Sequence, residues 1–583
     1  MKRNFIYKII SLTNTICKSY LPLLLFVKLL NSMATYITSC YIPIVISFLE
    51  KSKYEFAVIL CIVFPLVVWL IKSLAKYLTI ALSTKRMTIN QTISIEFYKS
   101  ISRIPYSELE SPKAYEQISL VNKSINRNGM DTIVNSILEI LSTILVISGA
   151  IYIVSALPIW ILLTMLCFVT ISVLLEKKRA DFDYGTLVEK IHTDIPYYYV
   201  KDELTEKEYA KDIRLYSMAD LLSTKAFRSA TETFSLLNKN KAIEVKYAYP
   251  SVIFNAIKDI LVYGYLIAQC IGSKFTISQF TLISSSIFLL NSSIKMLFNN
   301  VLRMREEGLY VKDYFSYVEM YSEKSVDTIQ TEPYKEAKIE FKNVSFKYPN
   351  SDLYALYNVN LCINPGEKIS VVGPNGSGKT TLIKLLLRFY QPTSGEICIN
   401  GVNINTIPIT QYYSLFAPVF QDFTVYQFSI QENICFSNDK SNSNWNNALE
   451  IVGLSKKVDS LPNKAKTYIG NVMDDYGIDL SGGEKQLLAM ARAINKNALI
   501  YILDEPTANL SPQKEYEYYC LIRDTIKHKS IVFISHRMAS CRLCDRIIVL
   551  DKGKCIEYGT HEELMQSNGL YAQMFQKQLE VFE

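Results

Sequence analysis

Residues 369–387 read Ile369-Ser-Val-Val-Gly-Pro-Asn-Gly-Ser-Gly-Lys-Thr-Thr-Leu-Ile-Lys-Leu-Leu-Leu387. Within this stretch Gly373 to Thr380 fits the pattern G-x-x-x-x-G-K-[ST]. The apolar run before it predicts a buried strand over 369–372, and the run after it predicts a helix from Thr381 to Leu387. Such a strand–loop–helix is built to hold phosphate. Gly373, Gly376 and Gly378 let backbone N–H groups close around the oxygens, with Asn375 and Ser377 in the same turn. The helix start that follows adds its positive dipole end. Lys379 is the cation for the terminal phosphates, the Thr380 hydroxyl is a ligand for Mg²⁺, and Thr381 continues the binding turn.

Two further strands strengthen the reading. Leu499-Ile-Tyr-Ile-Leu503 ends in Asp504-Glu505, which suits Asp504 to the Mg²⁺ shell and Glu505 to taking a proton from an attacking water. Ser530-Ile-Val-Phe-Ile534 ends at Ser535-His536, where His536 is placed to sense a γ-phosphate. A nucleoside triphosphatase with ATP and Mg²⁺ as its ligands follows from these three segments together.

At Leu480-Ser-Gly-Gly-Glu-Lys-Gln486 the sequence resembles the signature motif of the ABC ATPases. The motif order is similar as well: an aromatic near the domain start, the phosphate loop, a Q-loop, the signature, the Asp-Glu strand and the switch His. The resemblance implies that Tyr348 stacks on adenine, and that Gln421 in Val419-Phe-Gln-Asp-Phe423 contacts the metal and the attacking water. It also implies that Ser481, Gly482 and Gly483 bind the γ-phosphate of a partner chain's ATP, so that a chain with one cassette works as a dimer. Glu505, His536, Ser481 and Gly482 are all intact, which favours a homodimer over a heterodimer. The D-loop departs from the family's usual Asp, reading Ala508-Asn-Leu-Ser511, and this bears on how the two sites communicate.

The chain before residue 320 is different in kind. The whole chain of 583 residues has a mean hydropathy of +0.13, a value between soluble and all-membrane proteins, and the apolar runs crowd into 19–302. A helix needs about 20 mainly apolar residues to cross a bilayer. Six such stretches lie at roughly 19–49, 55–82, 131–156, 157–177, 248–272 and 276–302. Short turns join them in pairs, and the segments 83–130 and 178–247 are long and polar. Those long segments carry Lys85, Arg86, Lys99, Arg103, Lys177, Lys178, Arg179, Lys211 and Arg214, which places them in the cytoplasm with both termini. Short cross-pieces are expected at Ser107–Ile118 and Lys211–Leu221. Lys28 and Lys295 read as interfacial charges, while Lys258 and Asp259 lie deeper and stand equally for a substrate path or for snorkelling.

The fold expected is therefore a membrane all-α six-helix domain followed by an α/β P-loop ABC ATPase domain, over 1–320 and 337–583, with a polar linker at 321–336. The basic, apolar N-terminus lacks a small-residue cleavage site and reads as an amphipathic helix on the inner membrane surface. What precedes the first span is too short for a peptidase that would cut leader peptides. A net charge of +7, spread along the chain, points to membrane lipid and away from nucleic acid. The 12 cysteines sit mostly in apolar contexts, and one lone CxxC with four His argues against zinc. This architecture resembles half-size exporters of the multidrug and lipid-flippase type. It implies ATP-driven export of a peptide, lipid or amphipathic small molecule across the cytoplasmic membrane. The alternative is an ATP-gated channel or sensor using the same closure.

Overall fold

A computed structural model of the chain describes residues 3–205, 209–321, 334–349, 351–436, 444–505, 520, 522, 525–526, 528–534 and 538–582. The chain forms two compact units, one of Met1–Ile104 with Ser111–Ser322, the other of Pro105–Glu110 with Glu323–Glu583.

The first unit is helical. After α1 (Arg3–Ile16) come α2 (Tyr20–Glu50) and α3 (Tyr54–Ile101), then the short α4 (Tyr106–Leu109) and α5 (Pro112–Asn126), of which α4 belongs to the second unit. The unit continues with α6 (Gly129–Val154), α7 (Ile159–Thr205), α8 (Ala210–Leu215), α9 (Ala219–Ile271) and α10 (Ile277–Tyr321). Six of these helices are long and apolar enough to cross a membrane: α2, α3, α6, α7, α9 and α10. Their apolar surface is largely turned outward. On α3 alone, Ile59, Ile62, Leu66, Trp69 and Leu70 are all more than half exposed, a face that only lipid or another apolar surface covers at acceptable free energy.

As the long polar segments lead one to expect, the helices run on past the apolar stretches, because α3, α7, α9 and α10 carry polar but helix-forming residues beyond them. One difference from the sequence reading has a physical cause. The transverse pieces are shorter than expected, at Tyr106–Leu109 and Ala210–Leu215. Pro105 fixes the start of the first, since a proline suits the residue before a helix and breaks one that precedes it. The helix α1 packs one face onto protein: Ile9 is fully buried, and the Phe5 ring meets Phe315 edge-on at 5.7 Å.

The second unit carries two sheets. In chain order its elements are β1 (Ile339–Lys347), β2 (Tyr354–Ile363), β3 (Lys368–Val372), α11 (Lys379–Leu386), β4 (Ser394–Ile399), β5 (Val402–Asn403), α12 (Ile409–Ser414) and β6 (Phe416–Val419). Then follow α13 (Ile430–Cys435), α14 (Trp445–Ile451), α15 (Ser455–Asp459), α16 (Gly482–Lys496), β7 (Ile500–Asp504), β8 (Ser530–Ile534), β9 (Arg546–Asp551), β10 (Lys554–Gly559), α17 (His561–Gln566) and α18 (Leu570–Phe582). An antiparallel sheet has the order β2-β1-β4-β5, and the second sheet runs β10-β9-β3-β8-β7-β6. In the latter β9, β3, β8, β7 and β6 are parallel, with β10 antiparallel at the edge. Every residue of β7 and β8 is buried, as a parallel strand covered on both faces requires. One core cluster joins the two sheets and α11, and another packs α13–α16 on the far side of β6, β7 and β8. Parallel strands all end at one edge, and ligands of open α/β sheets bind there.

Candidate functional site

At that edge β3 runs out into Gly373, β7 into Glu505, and β8 into residues 535–537. The turn after β3 needs its glycines. Gly378 has φ +105°, and a Cβ there would lie 2.7 Å from Leu356 Cδ2 and 2.8 Å from the Ala355 carbonyl. At Gly373 a Cβ would come within 2.1 Å of the Leu550 carbonyl oxygen. No other residue fits these two positions without moving the backbone of β2 or β9. Gly376 is also left-handed, at φ +77°, with open space around it, and Asn375 is exposed beside it.

Lys379 Nζ folds back to donate to the carbonyls of Gly373 at 2.8 Å and Pro374 at 3.0 Å. Burial pushes its ammonium pKa down, against the pull of Glu505 and Asp504. The Ser377 hydroxyl is buried with no hydrogen-bond partner among the described residues. A buried hydroxyl without a partner costs about 1–3 kcal/mol, so the loop is satisfied only when an acceptor enters it. Thr380, at the first turn of α11, is exposed, while Thr381 is buried and its Oγ1 lies 3.0 Å from the Tyr348 hydroxyl. Tyr348 is half-buried, with Tyr390 edge-on at 5.3 Å. These residues fit a nucleoside triphosphate: backbone donors, a cation, an orphaned hydroxyl and an aromatic ring gathered at one helix start.

The acidic side of the site comes from β7. Burial pushes the Asp504 carboxyl up to about 6, with help from the nearby charges of Glu505 and Asp422 and against that of Lys379. A carboxylate so placed gains from a divalent cation, which fits Asp504 and Thr380 to Mg²⁺. Glu505 follows at φ +46°, its N–H donating to the Ile534 carbonyl at 2.9 Å. Gln421 Nε2 donates to Glu505 Oε2 at 3.0 Å, so the two residues meet across 84 positions of sequence. Gln486 Nε2 reaches the Glu505 carbonyl at 3.4 Å, and its Oε1 is buried without a partner.

The signature residues start α16. Ser481 is the N-cap, its hydroxyl accepting from the Glu484 N–H at 3.4 Å and its own N–H donating to Glu484 Oε2 at 2.9 Å. This capping box holds the helix start rigid while the first-turn N–H groups of Gly482 and Gly483 lack intrahelical acceptors. Lys457 Nζ fixes Glu484 from outside at 2.5 Å.

Two roles were not legible beforehand. Asp422 and Gln486 lie inside stretches already singled out, yet their parts, biasing Asp504 and holding Glu505, depend on contacts between segments distant in sequence. His536 and the D-loop residues Ala508–Ser511 lie outside the described residues, as does most of the linker at 321–336. Among the described residues no cluster of His, Cys, Asp and Glu could hold a metal by itself.

Residues 356–508 match the family model described as ABC transporter. The chain is 29% identical over 509 residues to the subtilin transport ATP-binding protein SpaT of Bacillus subtilis, covering 84% of this chain and 80% of that protein. It is 25% identical over 500 residues to the nisin transport ATP-binding protein NisT of Lactococcus lactis subsp. lactis, covering 84% and 82%. An ATP-dependent lipid A-core flippase of Methylobacillus flagellatus is 35% identical over 249 residues, 42% of this chain and 41% of the flippase. In fold, the chain matches a bacterial Atm1-family ABC exporter solved with ATP bound, with a TM-score of 0.75, 20% identity, and 94% and 98% of the two chains covered. A membrane-crossing set of six helices, a phosphate loop, a signature helix and these relatives lead to one assignment: the chain belongs to the ABC transporters, as a half-size exporter with one ATP-hydrolysing cassette.

Proposed function

We propose that two copies of this chain form an exporter that uses ATP to move a peptide outward across the cytoplasmic membrane. Both termini and both cassettes lie in the cytoplasm. The observation that carries the cargo class is the reach of the relatives. The subtilin and nisin transport proteins align over 84% of the chain, which cannot fit within a cassette and so includes helices of the membrane unit. The lipid A-core flippases align over 41–54% of the chain. The part of the chain that would touch cargo is therefore better matched by peptide exporters.

In the cassette, Tyr348 stacks on adenine while the loop N–H groups and Lys379 hold the phosphates. Thr380, Asp504 and Gln421 would hold Mg²⁺, which supplies charge neutralisation at the phosphates. Glu505 takes the proton of the attacking water, and Gln421 holds the carboxylate that does so at the observed 3.0 Å. Ser481, Gly482 and Gly483 present their helix start to ATP held on the partner chain. His536, which follows β8 in sequence, senses the γ-phosphate. A site divided in this way makes dimer closure a condition of hydrolysis.

Purified protein in proteoliposomes tests the reading. An amphipathic peptide should stimulate ATPase activity and accumulate in vesicles whose cassettes face outward, and Glu505→Gln should abolish both. Stimulation and flipping of lipid with no response to peptide would overturn the cargo class. Ion flux that persists in Glu505→Gln would overturn the pump.

A further inference from the structure

In the second span, within α3, the apolar run Val67-Val-Trp-Leu-Ile ends at Lys72, with Lys76 one turn further on. Lys72 lies roughly 18 residues from the helix start at Tyr54, about 27 Å along an α-helix, which puts it near the inner boundary of the hydrocarbon core. A lysine there reaches the interface or turns into an adjoining cavity. Two other lysines of the spans have partners. Lys28 pairs with Glu139 at 2.9 Å, and Lys258, 1% exposed, donates to Asn291 Oδ1 at 2.8 Å with Asp259 at 3.4 Å. Lys72 is exposed and has no carboxylate within 4.0 Å among the described residues, and it borders a cavity of about 560 Å³.

The walls of that cavity, formed by α2, α3, α9 and α10, divide by hydrogen-bonding capacity. Thr35, Thr38, Ser39 and Ser292 each donate their hydroxyl proton to a carbonyl of their own helix, at 2.7–2.9 Å. Towards the cavity these four have only lone pairs left, so they accept. Tyr263, Ser284 and Ser285 make no side-chain hydrogen bond among the described residues and, with Lys72, can donate. Ile42, Phe288 and Leu289 supply the apolar remainder. The chamber complements a molecule that carries N–H donors, carbonyl acceptors, an apolar side and one negative charge. A peptide with an acidic side chain or a free carboxyl terminus has all four. A lipid headgroup offers the charge but few of the N–H donors that the accepting wall asks for.

We propose that this cavity is the cargo site of the membrane unit, and that Lys72 receives a carboxylate of a peptide cargo. The proposal rests on the export reading above and narrows it to acidic peptides. The test uses full-length protein in phosphatidylcholine vesicles and two synthetic amphipathic peptides that differ only in one Glu or Gln. The Glu peptide should half-saturate ATPase stimulation at about tenfold lower concentration, the order of one charge-assisted hydrogen bond. Lys72→Gln should remove that difference by weakening the Glu peptide alone, Lys72→Arg should keep it, and Lys72→Glu should reverse it. Equal half-saturation by both peptides in the wild type, or an equal shift of both in Lys72→Gln, overturns the proposal. So does Lys72-dependent stimulation by phosphatidic acid with no response to either peptide, which would assign the charge to a lipid phosphate. If the Gln peptide is still taken up in a Glu505-dependent way, export stands while the acidic preference falls; uptake of neither peptide removes the export reading itself.

Discussion

Glu505→Gln separates chemistry from binding. The substitution keeps the size of the side chain, and the left-handed backbone at φ +46° and the bond from the Glu505 N–H to Ile534 do not involve the side chain. A glutamine oxygen can still accept from Gln421 at the 3.0 Å position, so local structure should persist. What disappears is the base. Loss of a positioned general base lowers turnover by about 10²–10⁴, or roughly 3–5 kcal/mol of activation free energy. The same change removes one of the charges that raise the Asp504 carboxyl to about 6, so that carboxyl should ionise at lower pH in the variant. It also removes a negative charge beside the phosphates, so ATP should bind at least as tightly as before. Steady-state phosphate release at saturating MgATP measures the first effect, and equilibrium binding of a fluorescent ATP analogue measures the last. A variant that keeps more than about a tenth of wild-type turnover would show that another group takes the proton. A variant that fails to bind ATP would show that Glu505 is needed for the structure of the site instead.

Three further outcomes follow from the same geometry. Ser377→Ala removes a buried hydroxyl that lacks a partner, so the nucleotide-free protein should melt no earlier than the wild type while its ATP Kd rises about tenfold. Calorimetry and ATP titration read the two effects. Asp504 is more basic folded than unfolded, where its pKa is near 3.9, so the native state holds its proton more tightly and this residue's contribution to stability falls as pH rises between about 4 and 6. Asp504→Asn removes that term, so without metal the variant should gain on the wild type by roughly 2–3 kcal/mol across this window, and a constant difference in Tm from pH 4 to 7 would refute it. Lys28→Met leaves the part-buried Glu139 without its cation and should destabilise the membrane unit by about 1–3 kcal/mol, while Lys28→Met with Glu139→Leu should recover most of the loss. Thermal unfolding in detergent of the two single variants and the double variant decides this.

What could be read in advance was what local sequence encodes. The phosphate loop is one turn between a strand and a helix, and its chemistry is set by Gly373, Gly378 and Lys379 within a few positions of one another. The six spans are legible because membrane crossing depends on composition over a window, and α2 begins at Tyr20 close to where the apolar run does. Contacts between distant segments were not legible. Gln421 meets Glu505 across 84 residues, and Lys28 meets Glu139 across 111, where the charge pattern alone suggested an interfacial lysine. Lys72 is a different case, since a lysine directly after the run Val67-Val-Trp-Leu-Ile is a signal carried by local sequence.

The residues Pro105–Glu110 show why domain limits in such a chain do not follow sequence order. They are flanked on both sides by helices of the first unit, yet they pack with the second. The Tyr106 ring stacks on Phe389 at 4.8 Å, the Tyr390 hydroxyl donates to Glu110, and Lys384 lies 3.5 Å from the same carboxylate. These contacts hold the Glu110 carboxyl below its usual range despite partial burial. Tyr390 also stands edge-on to Tyr348, whose hydroxyl touches Thr381 of the phosphate-binding helix. A chain of three contacts thus runs from a six-residue turn to the first turn of the helix that follows the phosphate loop. Each link is an aromatic edge or a hydroxyl, which tolerates small rotations but not separation. Any movement of Tyr348 when adenine arrives must therefore be accommodated at Glu110 or break a contact on the way.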